Sequence, residues 1–538
     1  MKGFKHFGAM IDVSRNGVLS KTEFFRFVDM LSKMGYDTIE LYSEDIYEVE
    51  GETYFGYMRG GYSIAELQEF DSYCRKKGVE LIPCLQTLAH FTNPSKEKEF
   101  MPLLDLDDIL NVDDPKVYEF LDRLIGSARK AFSSKHLNIG MDEAYRLGLG
   151  KHLQEHGYEA QSGLMLRHLR KVSEIASKYG FDCHMWGDMF VRMVHDDGSY
   201  LAHGLPNVSK LKALHLDVPD NVEVAYWDYG QTDPKFYDAM FEFYRVLGRD
   251  VWFAGAGLTW VGFAPQNKAA LPIMRASFES MRRNKIENYL ITLWGDNGKD
   301  CSINAALPLL FAASEFAKGI EDIALIKKHF KEAFDLDFDD FESLDDVNKI
   351  TVGEELEMPV NALSKGLFYQ DPLCGVLDVD LSGIDKIDYG AIAEKILEAK
   401  KRNEPYGYLF ETISRLASFL SHKAYLGIDI HKAYSAKDKE LLRKQITEID
   451  LALASLDSFI EAFEHQWMKE NKPFGYEIHC ARFGGVKERL SYAKRALLAY
   501  INGDIDRVEE LEAKQLPFYR PEGFRMNNYR MFISTSEI

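Results

Sequence analysis

The sequence predicts an α/β protein: a (β/α)8 TIM barrel followed by a mainly α-helical C-terminal domain. Three observations carry this. Strand-like and helix-like runs alternate regularly over roughly the first 320 residues, giving eight strand signals. Several of the helices between them end in the same way. Beyond about residue 330, strand signals become rare and long helical periodicities take over. Repeated βα units close into a barrel whose chemistry lies at the C-terminal ends of the strands.

The strand-like runs are His6–Val13, Thr38–Tyr42, Glu80–Gln86, His136–Gly140, Asp182–Trp186, Val222–Tyr226, Val251–Gly255 and Asn288–Trp294. Helical periodicity follows seven of them, and the connection near Pro206–Leu216 is the least clear. Three exits, Ser32-Lys33-Met34-Gly35, Arg75-Lys76-Lys77-Gly78 and Ser177-Lys178-Tyr179-Gly180, place cations in a last turn and glycine where a left-handed residue ends a helix. The later periodicities cover Tyr389–Lys401, Leu409–Leu426, Asp438–Glu464 and Gly484–Asn502, after an acidic junction at Asp335–Asp346. Residues 1–330 are therefore expected to form the catalytic barrel and residues 331–538 a helical domain.

The chain has 65 Lys and Arg against 85 Asp and Glu, a net charge of −20. Nucleic acid and anionic membrane surfaces need a basic patch, so neither is expected as a partner. Six scattered cysteines without a CxxC pair read as buried thiols of a reduced compartment. The opening Met1-Lys2-Gly3-Phe4-Lys5-His6 runs into a strand pattern without a signal-peptide core, and a cytoplasmic location is expected.

The ends of the strands are polar or aromatic. They give Asp12-Val13-Ser14-Arg15, Tyr42-Ser43-Glu44, Gln86 through His90, Asp142-Glu143, Trp186-Gly187-Asp188, Tyr226-Trp227-Asp228-Tyr229, Trp260 after Gly257, and Trp294-Gly295-Asp296. Five of the six tryptophans lie between 186 and 294, and four of these stand at or just beyond a strand end. Any one of them alone reads as core. Together, indoles that stack on pyranose faces and charged groups that take hydroxyls suit a small glycan. Adjacent strand residues point to opposite faces, so Asp142 and Glu143 reach one substrate only if the chain bends out of the strand, which Gly140 permits.

These ordered motifs resemble glycoside hydrolase family 20, the β-N-acetylhexosaminidases, over about residues 5–320. Asp12-Val13-Ser14-Arg15 is similar to the family's Asp-x-Ser-Arg. Glu44 stands where the family has an Asp, His90 where it has a histidine after strand three, and Asp142-Glu143 where it has its catalytic pair. Trp186, Tyr226-x-Asp228 and Trp294-x-Asp296 follow in order. The resemblance implies an exo-acting, retaining enzyme that uses the substrate's own 2-acetamido oxygen as nucleophile. Glu143 would be the acid and base, Asp142 would orient the acetamide N–H, and Tyr226 would bond its oxygen. Arg15, Glu44, His90, Trp186, Trp227, Asp228, Tyr229, Trp260, Trp294 and Asp296 would bind the sugar, with no metal and no cofactor. The chain departs from the family's His-x-Gly-Gly-Asp-Glu at Asn138 and Met141, swaps carboxylate length at Glu44 and Asp296, and lacks the small α+β domain that often precedes the barrel. Two other readings stay open: a retaining β-glycosidase with a protein carboxylate nucleophile, and a non-catalytic sugar-binding barrel.

Three other signals carry less. His152-x-x-Glu155-His156 matches a zinc-peptidase pattern but is flanked by Gly148 and Gly150. Asp335-x-Asp337-x-Asp339 opens like an EF-hand but has Asp340 where the turn glycine belongs. The aromatic stretch Trp467–Tyr476 fits packing on the barrel, a homodimer contact, or a reach into a neighbour's active-site mouth.

Overall fold

A computed structural model describes residues 3–195, 198–200, 204–349, 363–518 and 528–536. Eight parallel strands close into one barrel: β1 (His6–Asp12), β2 (Thr38–Ser43), β3 (Glu80–Leu85), β4 (His136–Asn138), β5 (Asp182–Trp186), β6 (Val222–Trp227), β7 (Val251–Ala256) and β8 (Asn288–Leu293). Each pairs with its neighbours in chain order, and β1 closes on β8 from His6↔Asn288 to Ile11↔Leu293. All eight expected strands are present, with ends shifted by at most two residues. The sequence reading missed a small hairpin, Leu104–Leu106 with Ile109–Leu110, in the loop after β3.

The connecting helices are α1 (Lys21–Met34), α2 (Ile64–Lys76), α3 (Pro115–Ala131), α4 (Gln161–Lys178), α5 (Val208–Ala213), α6 (Pro234–Arg245), α7 (Asn267–Asn284) and α8 (Leu307–Ala317). Gly35, Gly78 and Gly180 have φ of 88°, 71° and 75°, so the shared helix exit is left-handed at all three. The short α5 explains the weak periodicity after β5.

Period-two alternation divides the strand residues. Met10, Tyr42, Ile82, Cys84, Trp186, Ala225, Trp252, Ala254, Leu290 and Trp294 pack together in the lumen. Their chain neighbours face the helices and join the main core. The lumen is unusually polar for a barrel, where branched aliphatics dominate. Buried Glu40 bonds His184 Nε2 at 2.5 Å and accepts from Asn138 Nδ2 at 3.1 Å.

Further helices include α9 (Tyr389–Lys400), α10 (Gly407–Lys423), α11 (Lys439–Glu470) and α12 (Tyr476–Asn502). The end of α11 is tied to the barrel. Buried Glu470 accepts from Ser302 Oγ at 2.5 Å, Tyr408 OH at 2.6 Å and Asn304 Nδ2 at 2.9 Å. The Trp467–Tyr476 stretch packs on the barrel: the Lys472 backbone N donates to Val18 O, and its Nζ reaches Gly61 O and Glu66. Two thiols correct the cysteine expectation, because Cys374 and Cys480 are exposed while the other four are buried. Among the described residues no helix is long and apolar enough to cross a membrane.

Candidate active site

The chain leaves β4 through a run of unusual backbone. Gly140 has φ 66°, Met141 70° and Glu143 55°. A Cβ on Gly140 would lie 2.3 Å from Gln86 Oε1 and 2.9 Å from the Leu85 carbonyl, so only glycine fits. Asn138 braces this bend: its Oδ1 accepts from Gly140 N at 2.9 Å while its Nδ2 holds Glu40. The left-handed turn brings both acids to the barrel mouth. Met141 holds the same conformation without being glycine, at a cost of about 1–2 kcal/mol.

Asp142 is buried and held at both oxygens. Gln86 Nε2 donates to Oδ1 at 2.8 Å, and His90 Nε2 stands 3.1 Å from Oδ2. Burial alone would push its carboxyl up. The charge and hydrogen bond of His90, with the bond from Gln86, outweigh burial and hold it below the usual carboxylate range. Burial likewise disfavours the imidazolium, but Asp142 raises His90 to about 9. Glu143 is the more open acid, its side chain 37% exposed, with Oε2 3.7 Å from His90 Nε2. Each carboxylate oxygen has two acceptor sites, so Asp142 can still take a donor from a ligand.

Arg15 gathers the opposite wall. Its Nε donates to Glu44 Oε1 at 2.9 Å, Nη1 pairs with Asp296, and Nη2 reaches Tyr42 OH at 3.3 Å. The guanidinium lies 5.2 Å from the Trp294 ring centroid and 5.4 Å from that of Tyr42. Asp12 builds the turn beneath it, accepting from Ser14 N and Arg15 N through one oxygen and from Gly295 N through the other. Burial pushes the Asp296 carboxyl up, although Arg15 opposes it.

Between these walls lies a small cavity lined by Arg15, Asp142, Glu143, Trp186, Trp227, Tyr229, Trp260, Trp294 and Asp296. It continues into a cleft of about 840 Å³ that also exposes Glu44 and His90 and is walled by Gly475, Glu477 and Arg482 of the helical region. Eleven of the thirteen residues expected from sequence thus meet at one site. The Trp186 Nε1 is buried there with no hydrogen-bond partner among the described residues, and Trp294 Nε1 donates to Tyr229 OH at 2.9 Å.

Tyr226 and Asp228 do not line this cavity. Ala225 faces the lumen, so alternation turns Tyr226 outward among Tyr237, Phe241, Tyr244 and Phe253. Its hydroxyl donates to Asp228 Oδ2 at 2.9 Å, and Asp228 Oδ1 accepts from Gly230 N and Gln231 N. Asp228 therefore shapes the turn after β6. Tyr229 is the strand-six tyrosine that reaches the cavity.

Asp188, expected from the Trp-Gly-Asp triplet only as a hydroxyl acceptor at the mouth, instead sits beneath Glu143. It is fully buried and accepts from Glu143 N at 3.1 Å and Arg192 Nε at 3.1 Å. Its other oxygen has no partner among the described residues. Burial, then the nearby charge of Asp142, raise it to about 7 against the pull of Arg192. The signal was the Trp-Gly-Asp triplet, which ends β5 as it ends β8. Tyr145, whose phenol is pushed up by burial and by the nearby charge of Glu143, was also missed.

Among the described residues His152 and His156 gather no third donor, and His152 is buried. Asp337 caps the helix Phe338–Ser343, and Asp346 pairs with Lys268 and Lys395.

Residues 339–530 match the family model described as the Glycoside Hydrolase 20C C-terminal domain. That match covers the C-terminal third of the chain and supports an assignment to glycoside hydrolase family 20. No curated protein matches it in sequence. Among solved structures it is similar to an exo-β-N-acetylglucosaminidase of Vibrio harveyi, at 16% identity over 63% of this chain and 58% of that one, with a TM-score of 0.46. It is also similar to a chitobiase of Flavobacterium johnsoniae, at 13% identity over 95% and 74%, TM-score 0.48. A third is Dispersin B, at 17% identity over 59% and 98%, TM-score 0.41. The chain thus spans little more than half the length of the Vibrio harveyi enzyme. The helical region stands against the open side of the cleft.

Proposed function

We propose that the chain is an exo-acting, retaining β-N-acetylhexosaminidase that removes terminal β-linked GlcNAc or GalNAc by acetamido participation. One observation carries the reading: the two adjacent acids are in different environments at one aromatic-walled cavity. Asp142 is held as an anion by His90 and Gln86. Glu143 is open, 3.7 Å from the same imidazole, and free to move a proton.

In this reading Arg15, Glu44 and Asp296 take the hydroxyls of the terminal sugar, and Trp294 with its neighbouring indoles encloses the ring. The acetamide lies in the deeper end. Asp142 accepts its N–H and stabilises the positive charge that grows as the acetamide oxygen attacks C1. Tyr229, whose oxygen already accepts from Trp294, donates its own proton to that acetamide oxygen. The buried indole N–H of Trp186 offers a second donor. Glu143 protonates the leaving oxygen and then deprotonates the water that opens the oxazolinium ring.

The test is Glu143→Gln, with a thiazoline analogue of the cyclic intermediate as ligand. Turnover should fall by at least about 10²–10⁴-fold with substrate binding retained, since this is the usual worth of proton transfer. The thiazoline should bind far more tightly than the product sugar. Near-normal turnover in the variant contradicts the role of Glu143, and equal affinities for the two ligands contradict acetamido participation.

A further inference from the structure

The floor of the barrel holds a group of side chains that hydrolysis at the mouth does not use. His6, Glu80 and His136 are the first residues of β1, β3 and β4. They therefore stand at the N-terminal end of the strands, opposite Asp142 and Glu143. Each is separated by an even number of residues from a lumen-facing one, His6 from Met10 and Glu80 from Cys84, so all converge inward. His136 Nδ1 lies 2.9 Å from Glu80 Oε1, and His6 Nδ1 lies 3.8 Å from Glu80 Oε2. One donor atom from each residue falls within 4.8 Å of the others.

We propose that His6, Glu80 and His136 form a binding site for a first-row divalent cation, with zinc the best match. Two imidazoles and a carboxylate are a common zinc donor set, with water in the fourth position. Bonds near 2 Å require donors roughly 3.4 Å apart, so His136 and Glu80 would part slightly while His6 draws in. The surroundings orient the donors as outer partners of a metal site do. Ser134 Oγ donates to Glu80 Oε1 at 2.7 Å, and the His6 ring stacks on Trp252 at 4.8 Å. Asp37, Asp182 and Glu223 add negative potential around the two histidines. The three side chains are 16–32% exposed, beside an opening of about 420 Å³ that Glu80 and His136 line, so an ion can enter. The metal would displace the proton shared by His136 and Glu80, and binding would release it to solvent. Bound there, it would fasten the starts of three strands, a role separate from the hydrolysis.

The whole chain, stripped of metal, is titrated with Zn2+ by calorimetry and with Co2+ by visible absorption. The expected result is one equivalent bound, a raised melting temperature, and cobalt bands of a four- or five-coordinate nitrogen–oxygen site. Affinity should fall by more than ~100-fold in His136→Ala and in Glu80→Gln. It should be unchanged in His152→Ala/His156→Ala, and hydrolytic activity should not depend on the added metal. X-ray absorption of the zinc-loaded wild type needs no variant: two imidazoles with oxygen ligands support the site, and sulfur ligation or a single imidazole overturns it. Absence of stoichiometric binding in the wild type, or undiminished binding in His6→Ala/His136→Ala, also overturns it.

Discussion

His90 Nε2 stands 3.1 Å from Asp142 Oδ2, and this pairing fixes the charge of both groups. It also makes stability depend on pH. His90 is raised to about 9 in the folded chain, against about 6.5 when unfolded. Its contribution is complete below about pH 6.5 and is lost as pH rises through 9. Thermal melts from pH 6 to pH 9.5 should show a falling melting temperature, with a free-energy change on the order of 3 kcal/mol. His90→Ala should flatten that slope. A wild type whose stability is level across this window contradicts the pairing.

Tyr229, rather than Tyr226, is the tyrosine of the cavity. Tyr229→Phe should lower kcat on an aryl N-acetyl-β-glucosaminide by about 10²-fold, the usual cost of one donor to developing charge. Tyr226→Phe should leave kcat within a few-fold. It should cost about 1–2 kcal/mol of stability, because Asp228 loses a buried donor. Side-by-side kinetics and denaturant titrations separate the two.

Asp188 holds the backbone of Glu143 and acts through it. Asp188→Ala should lower kcat by about 10–100-fold while KM changes little, as expected when the geometry of an acid rather than binding is lost. Asp188→Asn keeps an acceptor for that N–H and should recover most of the loss. A large rise in KM with normal kcat would contradict a positioning role.

Gly140 is required by backbone shape and by space. Gly140→Ala places a carbon against Gln86 Oε1 and the Leu85 carbonyl in a left-handed conformation. It should destabilise the chain by at least about 1–3 kcal/mol and remove most activity by displacing both acids. Melting and activity measured on the same preparation check both effects.

Most of this was legible in the sequence because the signals were local. Strand runs, glycine helix exits and the acid and indole content of each strand end are all properties of a few adjacent residues. What was not legible depended on direction or distance. Strand alternation, not motif spacing, turns Tyr226 away from the cavity while Tyr229 lines it. The bracing role of Asn138 depends on Glu40, 98 residues away. Arg482 and Gly475 reach the cleft from a helical region more than 300 residues beyond Asp142, and no pattern near them announces it. The polar lumen of His6, Glu40, Glu80, Asn138, His136 and His184 was likewise hidden, because each residue alone reads as one polar position in an apolar strand.

The central claim is that the acetamide of the substrate is itself the nucleophile. The most direct measurement is the ratio of kcat/KM for p-nitrophenyl N-acetyl-β-glucosaminide to that for p-nitrophenyl β-glucoside, on the wild-type chain. A site whose buried donors and acceptors are matched to the acetamide should favour the first by about 10⁴-fold or more, since the glucoside leaves them unpaired and supplies no nucleophile. Comparable values for the two substrates would contradict the account and point to a carboxylate nucleophile in the protein.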